Sequence, residues 1–408
     1  MHEMQGVLLC SGGGTRMPAL TQNVQKCLLP VVGVPMFLYP LSSLLRAGIT
    51  DIKIFVREVF QPILEKEVKK SKLLEKYPAN LEYIPISQED YGTADLLKNH
   101  HSKITKDALI VSCDFISDAS LIPLVDFFRA SNSTLVALIA DTCVNAPAPG
   151  SKSKKPKATD VMAIVESTGQ LAHLCGDDDF DAALLLDKKM TNFPSVQLTS
   201  KYNDCHVYAV RHKALQQMNK LKHISSFKAD FVPSLIEKQF EADSGVKCFA
   251  YRLPHENGFV TAHANTYGAY FEVNKAIQKS FTRLMEYRGN GKTFPNKADK
   301  IRSDTESRIG KEVIIKRSII LDNCRVGEKA KVKESLISRG VVIGNGASVS
   351  NSIVCEGAEI GDNADVTNCI VAKDQKISAK ESRSLIYLFP AKIQNELVDG
   401  ADEEWTED

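Results

Sequence analysis

Val7-Leu-Leu-Cys-Ser-Gly-Gly-Gly-Thr-Arg16 stands near the start of the chain, and Lys26 follows ten residues later. The apolar run Gly6 to Cys10 reads as a buried strand that ends in a loop of three glycines. Gly12, Gly13 and Gly14 let the backbone take positive φ, and they let amide N–H groups approach a ligand with no Cβ in the way. Arg16 offers a planar fork for phosphate oxygens, and Lys26 a point charge. Together they suit a polyphosphate. The spacing is not Gly-x-x-x-x-Gly-Lys-Ser/Thr, since no lysine follows the last glycine, nor is it Gly-x-Gly-x-x-Gly. From the glycines alone, a tight strand-to-helix turn with two solvated basic residues is an equal reading.

Outward from this loop, apolar residues at 37, 38, 41, 44 and 45 give helical spacing, with Gly48 as a stop. Asp51 to Val56 reads as a strand, Leu81 to Ile86 as another, Thr93 to Leu97 as helix and Ala108 to Cys113 as a third strand. Strands alternating with helices predict a doubly wound, mixed but mostly parallel sheet. Ligands in such sheets bind beyond the carboxyl ends of the strands, where the glycine loop would lie. Thr134 to Ile139 continues the strand pattern, and Val161 to Leu174 reads as a hairpin turning at Thr168-Gly169. Between them, residues 146–159 are rich in lysine and proline and read as an exposed insertion.

Composition narrows the class. The 408 residues are enough for two domains with sizeable cores. A net charge of +1 gives no reason to expect nucleic-acid or membrane attraction. No run of 18 apolar residues occurs, and Met-His-Glu-Met-Gln is no secretory n-region, so neither a span nor a signal peptide is expected. The ten cysteines lack Cys-x-x-Cys pairs, and buried reduced thiols in a cytosolic protein fit them better than disulfides or zinc.

The most regular pattern lies further on. Ile309-Gly, Val326-Gly, Ile343-Gly, Ile360-Gly and Ile377-Ser recur every 17 residues. Ile315, Val332, Val349 and Val366 keep the same interval, as do Ile320, Ile337, Val354 and Val371. Within a unit the steps are 6, 5 and 6. That is a three-sided parallel β-helix, each side pointing a branched apolar residue inward. The expected domains are 1–286, a linker at 287–304, the β-helix at 305–388 and an acidic tail at 389–408. Trp405 in that tail is a candidate docking point, although an inert solubilising tail is the plainer reading.

A resemblance adds to these readings. Leu9-Cys-Ser-Gly-Gly-Gly-Thr-Arg-Met-Pro-Ala-Leu-Thr21, then Gln25-Lys-Cys-Leu-Leu-Pro-Val31, resembles the signature of sugar-1-phosphate nucleotidyltransferases. There the loop reads Gly-Gly-x-Gly-Thr-Arg-Leu-x-Pro-Leu-Thr, followed by Pro-Lys-Pro-Leu. Gly12, Gly14, Thr15, Arg16 and Lys26 match, while Ser11, Ala19, Gln25 and Cys27 depart. Gly92-Thr-Ala-Asp-Leu-Leu97 resembles the family's Gly-Thr-Ala loop, which touches base and sugar. Ile110-Val-Ser-Cys-Asp114 resembles its strand ending in Gly-Asp, whose aspartate holds magnesium. On composition alone, Asp114 reads as a capping or turn aspartate. Cys205 to Val210 and Ser225 to Leu235 resemble the Asn-x-Gly-Ile-Tyr and Ser-Phe-Glu-x-Asp segments. His206 stands at the glycine. Where the family has Trp-x-Asp, this chain has Thr261 and His263, so the second magnesium carboxylate is missing. The left hand of the β-helix is likewise implied by resemblance, here to hexapeptide-repeat domains.

Two classes share this architecture. One is an active enzyme such as a mannose-1-phosphate guanylyltransferase, with Arg16 holding the leaving pyrophosphate, Lys26 neutralising charge near the attacked phosphate, and magnesium between two aspartates. The other keeps the fold as a subunit that performs no nucleotidyl transfer, as in the γ and ε subunits of eukaryotic translation initiation factor 2B, the guanine-nucleotide exchange factor for initiation factor 2. The lost carboxylate and His206 favour the second class, and Ser11-Gly-Gly-Gly-Thr-Arg-Met17, Tyr91-Gly-Thr-Ala-Asp95, Val111-Ser-Cys-Asp114 with Ile116-Ser-Asp118 and the lysine-rich insertion resemble the γ-subunit family. That resemblance implies no catalytic residue, no metal and no cofactor. It implies a remnant nucleotide pocket of Gly12, Gly13, Gly14, Thr15, Arg16, Lys26, Gly92, Thr93 and Asp114. It implies the ε subunit, the other initiation factor 2B subunits and initiation factor 2 as partners, with no direct nucleic acid and no membrane. The ε subunit continues into a helical exchange domain; this chain stops soon after the β-helix, so it is not expected to carry exchange chemistry itself.

Overall fold

The computed structural model describes residues 4–22, 24–87, 92–141, 148–151, 160–176, 195–221, 223–253, 260–284, 300–302, 307–384 and 387–388. Seven strands form the first sheet: β1 (Met4–Leu9), β2 (Asp51–Arg57), β3 (Asn80–Ile86), β4 (Asp107–Ser112), β5 (Leu135–Asp141), β6 (Tyr202–Val210) and β7 (Cys248–Arg252). Their order is β7-β5-β6-β4-β1-β2-β3. Only β6 runs against its neighbours; β4, β1, β2 and β3 are parallel, as are β5 and β7. The sheet is buried on both faces, which is why its strands read as unbroken apolar runs. Leu8, Ile54, Leu109 and Val136 enter the core on one side. Val7, Phe55, Ile110 and Ala137 enter the core on the other. The carboxyl ends of β1 and β4 lie side by side, with Leu9 opposite Ser112, and this brings the glycine loop beside Asp114.

The hairpin forms as expected: Asp160–Val165 pairs with Leu171–Gly176 around Gly169, and Val196–Thr199 adds a third strand. A two-stranded ribbon of Phe115–Ser117 and Thr261–His263 stands Phe115 opposite His263. It becomes the floor of the site.

From Lys300 onward the chain winds a triangular, left-handed parallel β-helix of three ladders, one with six strands and two with five. The inward positions are those set by the 17-residue interval: Val326, Ile343 and Ile360, Val332, Val349 and Val366, Ile337, Val354 and Val371 fill one core. At Gly327, an added Cβ would lie 2.5 Å from the backbone nitrogen of Asn345 in the next coil, so only glycine fits. Ser318, Ser335 and Ser352 form an internal ladder, each hydroxyl accepting from the backbone N–H seventeen residues on.

Two features differ from the sequence reading. Lys300–Arg302 pairs with Ser318–Ile320, so stacking begins inside the stretch read as linker. The β-helix also does not stand alone. Ile319, Leu336, Ile353 and Ile370, each one residue before an inward position, face outward and join the core of the first unit with Tyr270, Val273 and Ile277 of the helix Tyr267–Leu284. The rest of the linker, most of the lysine-rich insertion, Tyr91 and the tail with Trp405 lie outside the described residues.

Candidate functional site: a carboxylate held by a lysine and a histidine

Asp114 follows β4 and is almost wholly buried. Its backbone carbonyl accepts from Ala264 N–H at 2.9 Å, which locks the ribbon beneath it. One carboxylate oxygen, Oδ2, takes both of its side-chain partners. Lys26 ion-pairs with it, and His263 Nε2 lies 2.9 Å away. The other oxygen, Oδ1, is buried with no hydrogen-bond partner among the described residues. His206 stacks on His263, with centroids 3.9 Å apart and planes 25° apart.

His206 reaches that place through a break in register between β6 and β5, and its φ is +53°. A glycine takes that conformation freely, and any other residue is strained there by about 1–3 kcal/mol. The family glycine at this position is therefore a backbone requirement as well as an empty space. Here the ring lies against His263.

Burial pushes the pKa of Asp114 up, but the cations and hydrogen bond around it win, and it is held well below the usual carboxylate range. Burial pushes both His206 and His263 below 6.5. Asp114 pulls His263 back up against that burial. His263 and then Lys26 hold Asp114 ionised, and His263 adds a hydrogen bond.

The donor set does not fit magnesium. A hard cation needs several oxygens, and the one carboxylate here already carries an ammonium and an imidazole on the same oxygen. Among the described residues no group of three or more His, Cys, Asp and Glu side chains is arranged to hold a metal ion.

Above the carboxylate, the glycine loop is open. Only Gly14 has positive φ, +77°, and an added Cβ there would meet Thr21 Cγ2 at 2.6 Å. Gly12 and Gly13 have free space around them and no positive φ, so the conformational demand read across all three glycines falls on Gly14 alone. Thr15 and Arg16 are exposed. Buried Gln25, at a family proline, donates from Nε2 to the carbonyls of Cys10 and Ser11 at 2.9 and 3.1 Å. Gly92 and Thr93 are stitched to the segment after residue 224: Ala94 N–H donates to Ser225 O at 2.7 Å, and Phe227 N–H to Thr93 Oγ1 at 2.8 Å.

A second buried polar group adjoins the first and was not anticipated. Lys228 pairs with Asp160 at 2.5 Å; Asp160 accepts from Asp204 N–H at 2.8 Å, and Tyr208 donates to Asp204. Asp204 also accepts from His206 N–H at 2.9 Å, so it helps hold the strained residue. Burial pushes Asp204 up to about 6 against the pull of Lys228, and Asp160 adds to the rise. The only sequence signal was Lys228 in place of the glutamate of Ser-Phe-Glu-x-Asp.

The profile of the nucleotidyl transferase family covers residues 5–149, and that of the GMPPB C-terminal domain covers residues 301–386. Mannose-1-phosphate guanyltransferase of Saccharomyces cerevisiae is 32% identical, but over 34% of this chain and 38% of its own length. Translation initiation factor eIF2B subunit epsilon of Schizosaccharomyces pombe is 23% identical over 50% of this chain and 31% of its own length. Translation initiation factor eIF2B subunit gamma of Caenorhabditis elegans is 80% identical over 414 aligned residues, 100% of both chains. With a nucleotidyltransferase fold, a stacked β-helix and that likeness along its whole length, the chain belongs to the family of translation initiation factor eIF2B gamma subunits.

Proposed function

We propose that this chain is a non-catalytic, regulatory subunit of the initiation factor 2B complex in the cytosol. In that role it pairs with the ε subunit, helps the complex bind initiation factor 2 and supports GDP/GTP exchange without carrying out nucleotidyl transfer. The observation that carries this reading is the double occupation of Asp114 Oδ2 by Lys26 and His263. A phosphoryl transfer without its metal loses several kcal/mol of transition-state stabilisation, and a lysine committed to an internal ion pair is a poor substitute. The division into residues 1–286, 305–388 and an acidic tail, and the remnant pocket around Gly12 to Arg16, Lys26, Gly92, Thr93 and Asp114, belong to the same proposal. The retained, exposed Arg16 and the open loop favour a second reading, an active guanylyltransferase.

The two separate in a direct assay. The purified chain with magnesium, GTP and mannose 1-phosphate is expected to release no pyrophosphate above background, and to co-purify from extract with other initiation factor 2B subunits. Turnover of about 1 per second or faster, from a chain that purifies without those subunits, would establish the enzyme instead.

A further inference from the structure

We infer that the outer face of the first β-helix coils is a docking surface for the chain's own acidic tail, residues 389–408. On the ladder of Ile314–Lys316, Lys331–Lys333 and Ser348–Ser350, side chains alternate inward and outward. Ile315, Val332 and Val349 point into the β-helix core. Ile314, Lys316, Lys331 and Lys333 are left on the surface, all exposed.

The register sets Lys331 beside Ile314 and Lys333 beside Lys316, on strands about 4.8 Å apart. Like charges directly across a ladder destabilise it. Four other cations of the β-helix have local partners: Arg317 with Glu334, Arg339 with Asp322, Lys376 with Glu359 and Arg383 with Glu381. Lys316, Lys331 and Lys333 pair with no carboxylate among the described residues. At the adjoining corner Lys311 and Lys329 are balanced by Glu312 and Glu328, so the basic surface is confined to Lys316, Lys331 and Lys333. Beyond it the same face is neutral at Ser348 and Ser350 and acidic at Asp365, so the basic patch ends there. An acidic strip with an apolar element would match both the charge and exposed Ile314.

The tail has that chemistry. It carries Glu396, Asp399, Asp402, Glu403, Glu404, Glu407 and Asp408, with Leu397, Val398 and Trp405 among them. It starts after Tyr387–Leu388 on the last coil. The lysine strands lie three and four ladder steps back from Ser382–Ser384, about 15–20 Å. Eight extended residues from Leu388 to Glu396 reach about 26 Å, and tethering holds the acidic stretch at roughly millimolar effective concentration. Trp405 would rest on Ile314 with lysine ammonium groups over its ring.

Trp405 is the one tryptophan of the chain, so its fluorescence in the full-length protein reports docking directly. At low salt its emission should be shifted to the blue and its anisotropy raised relative to a synthetic peptide of residues 389–408. Both differences should vanish near 1 M NaCl, where the Debye length is about 3 Å. They should also vanish in the triple variant Lys316→Glu, Lys331→Glu, Lys333→Glu, and weaken in the same three changed to Gln. Lys213→Glu, outside the β-helix, should leave them intact, and matched thermal melting shows that each variant is folded. Wild-type emission equal to that of the free peptide at low salt would overturn the inference. So would a blue shift that survives the triple variant. A shift that grows with protein concentration means that a second copy's tail is bound, and one that appears only with added RNA or another acidic protein means a different occupant; either overturns it too.

Discussion

Asp114 is the residue on which the site turns, because it stays ionised in a place with almost no water. Its depressed pKa means that its contribution to stability is present above the unfolded value near 3.8 and is lost as pH falls through the folded value. Lys26→Met should remove a charge that sustains it and cost about 3–5 kcal/mol in urea unfolding at pH 7, with acid unfolding beginning at higher pH. Asp204 has the opposite sign. Its folded value near 6 lies above the unfolded one, so its contribution is complete below about pH 4 and is lost as pH rises through 6. Asp204→Asn should flatten the dependence of the urea midpoint on pH between 4 and 6; an unchanged slope would remove Asp204 as its source. At the loop, Gly14→Val should lower the melting temperature while Gly13→Ala leaves it nearly unchanged, because only Gly14 has a left-handed φ and a neighbour within 2.6 Å of the new Cβ. The residues of the Asp114 cluster were legible by resemblance, down to His263 at the missing carboxylate. Which glycine bears the strain was not legible, since a run of three glycines carries no mark of the one with positive φ.

The β-helix was the most legible element, because a triangular coil forces a branched apolar residue inward at fixed intervals. Ile343→Asp should bury an unpaired charge in that core and abolish cooperative folding of the β-helix by circular dichroism. Glu359→Lys breaks only an exposed pair with Lys376 and should cost less than about 1 kcal/mol. Ile319, Leu336, Ile353 and Ile370 keep the same 17-residue interval one position earlier, so the row that docks the β-helix was also written in the sequence. It stayed hidden because period alone does not say which apolar row faces the coil interior and which a neighbour. Ile353→Asp should therefore spare the coil and uncouple the two units, splitting one calorimetric transition into two.

At the scale of the molecule, the helix Tyr267–Leu284 joins the parts. Tyr267 accepts from Ala19 N–H at 2.9 Å, Tyr270 donates to Pro30 O at 2.6 Å, and Asn274 accepts from Val32 N–H at 2.8 Å. The same helix shares its core with the outward row of the β-helix. The segment that carries Lys26 is thereby braced against the whole body, as suits a scaffold that presents surfaces to other subunits. Guanine-nucleotide exchange on initiation factor 2 by the ε subunit, measured with and without this chain, tests that role most directly. The chain alone should give no exchange, and adding it to the ε subunit should raise the rate, with Arg16→Ala leaving the increase nearly intact. An ε-subunit rate that this chain does not change would contradict the role.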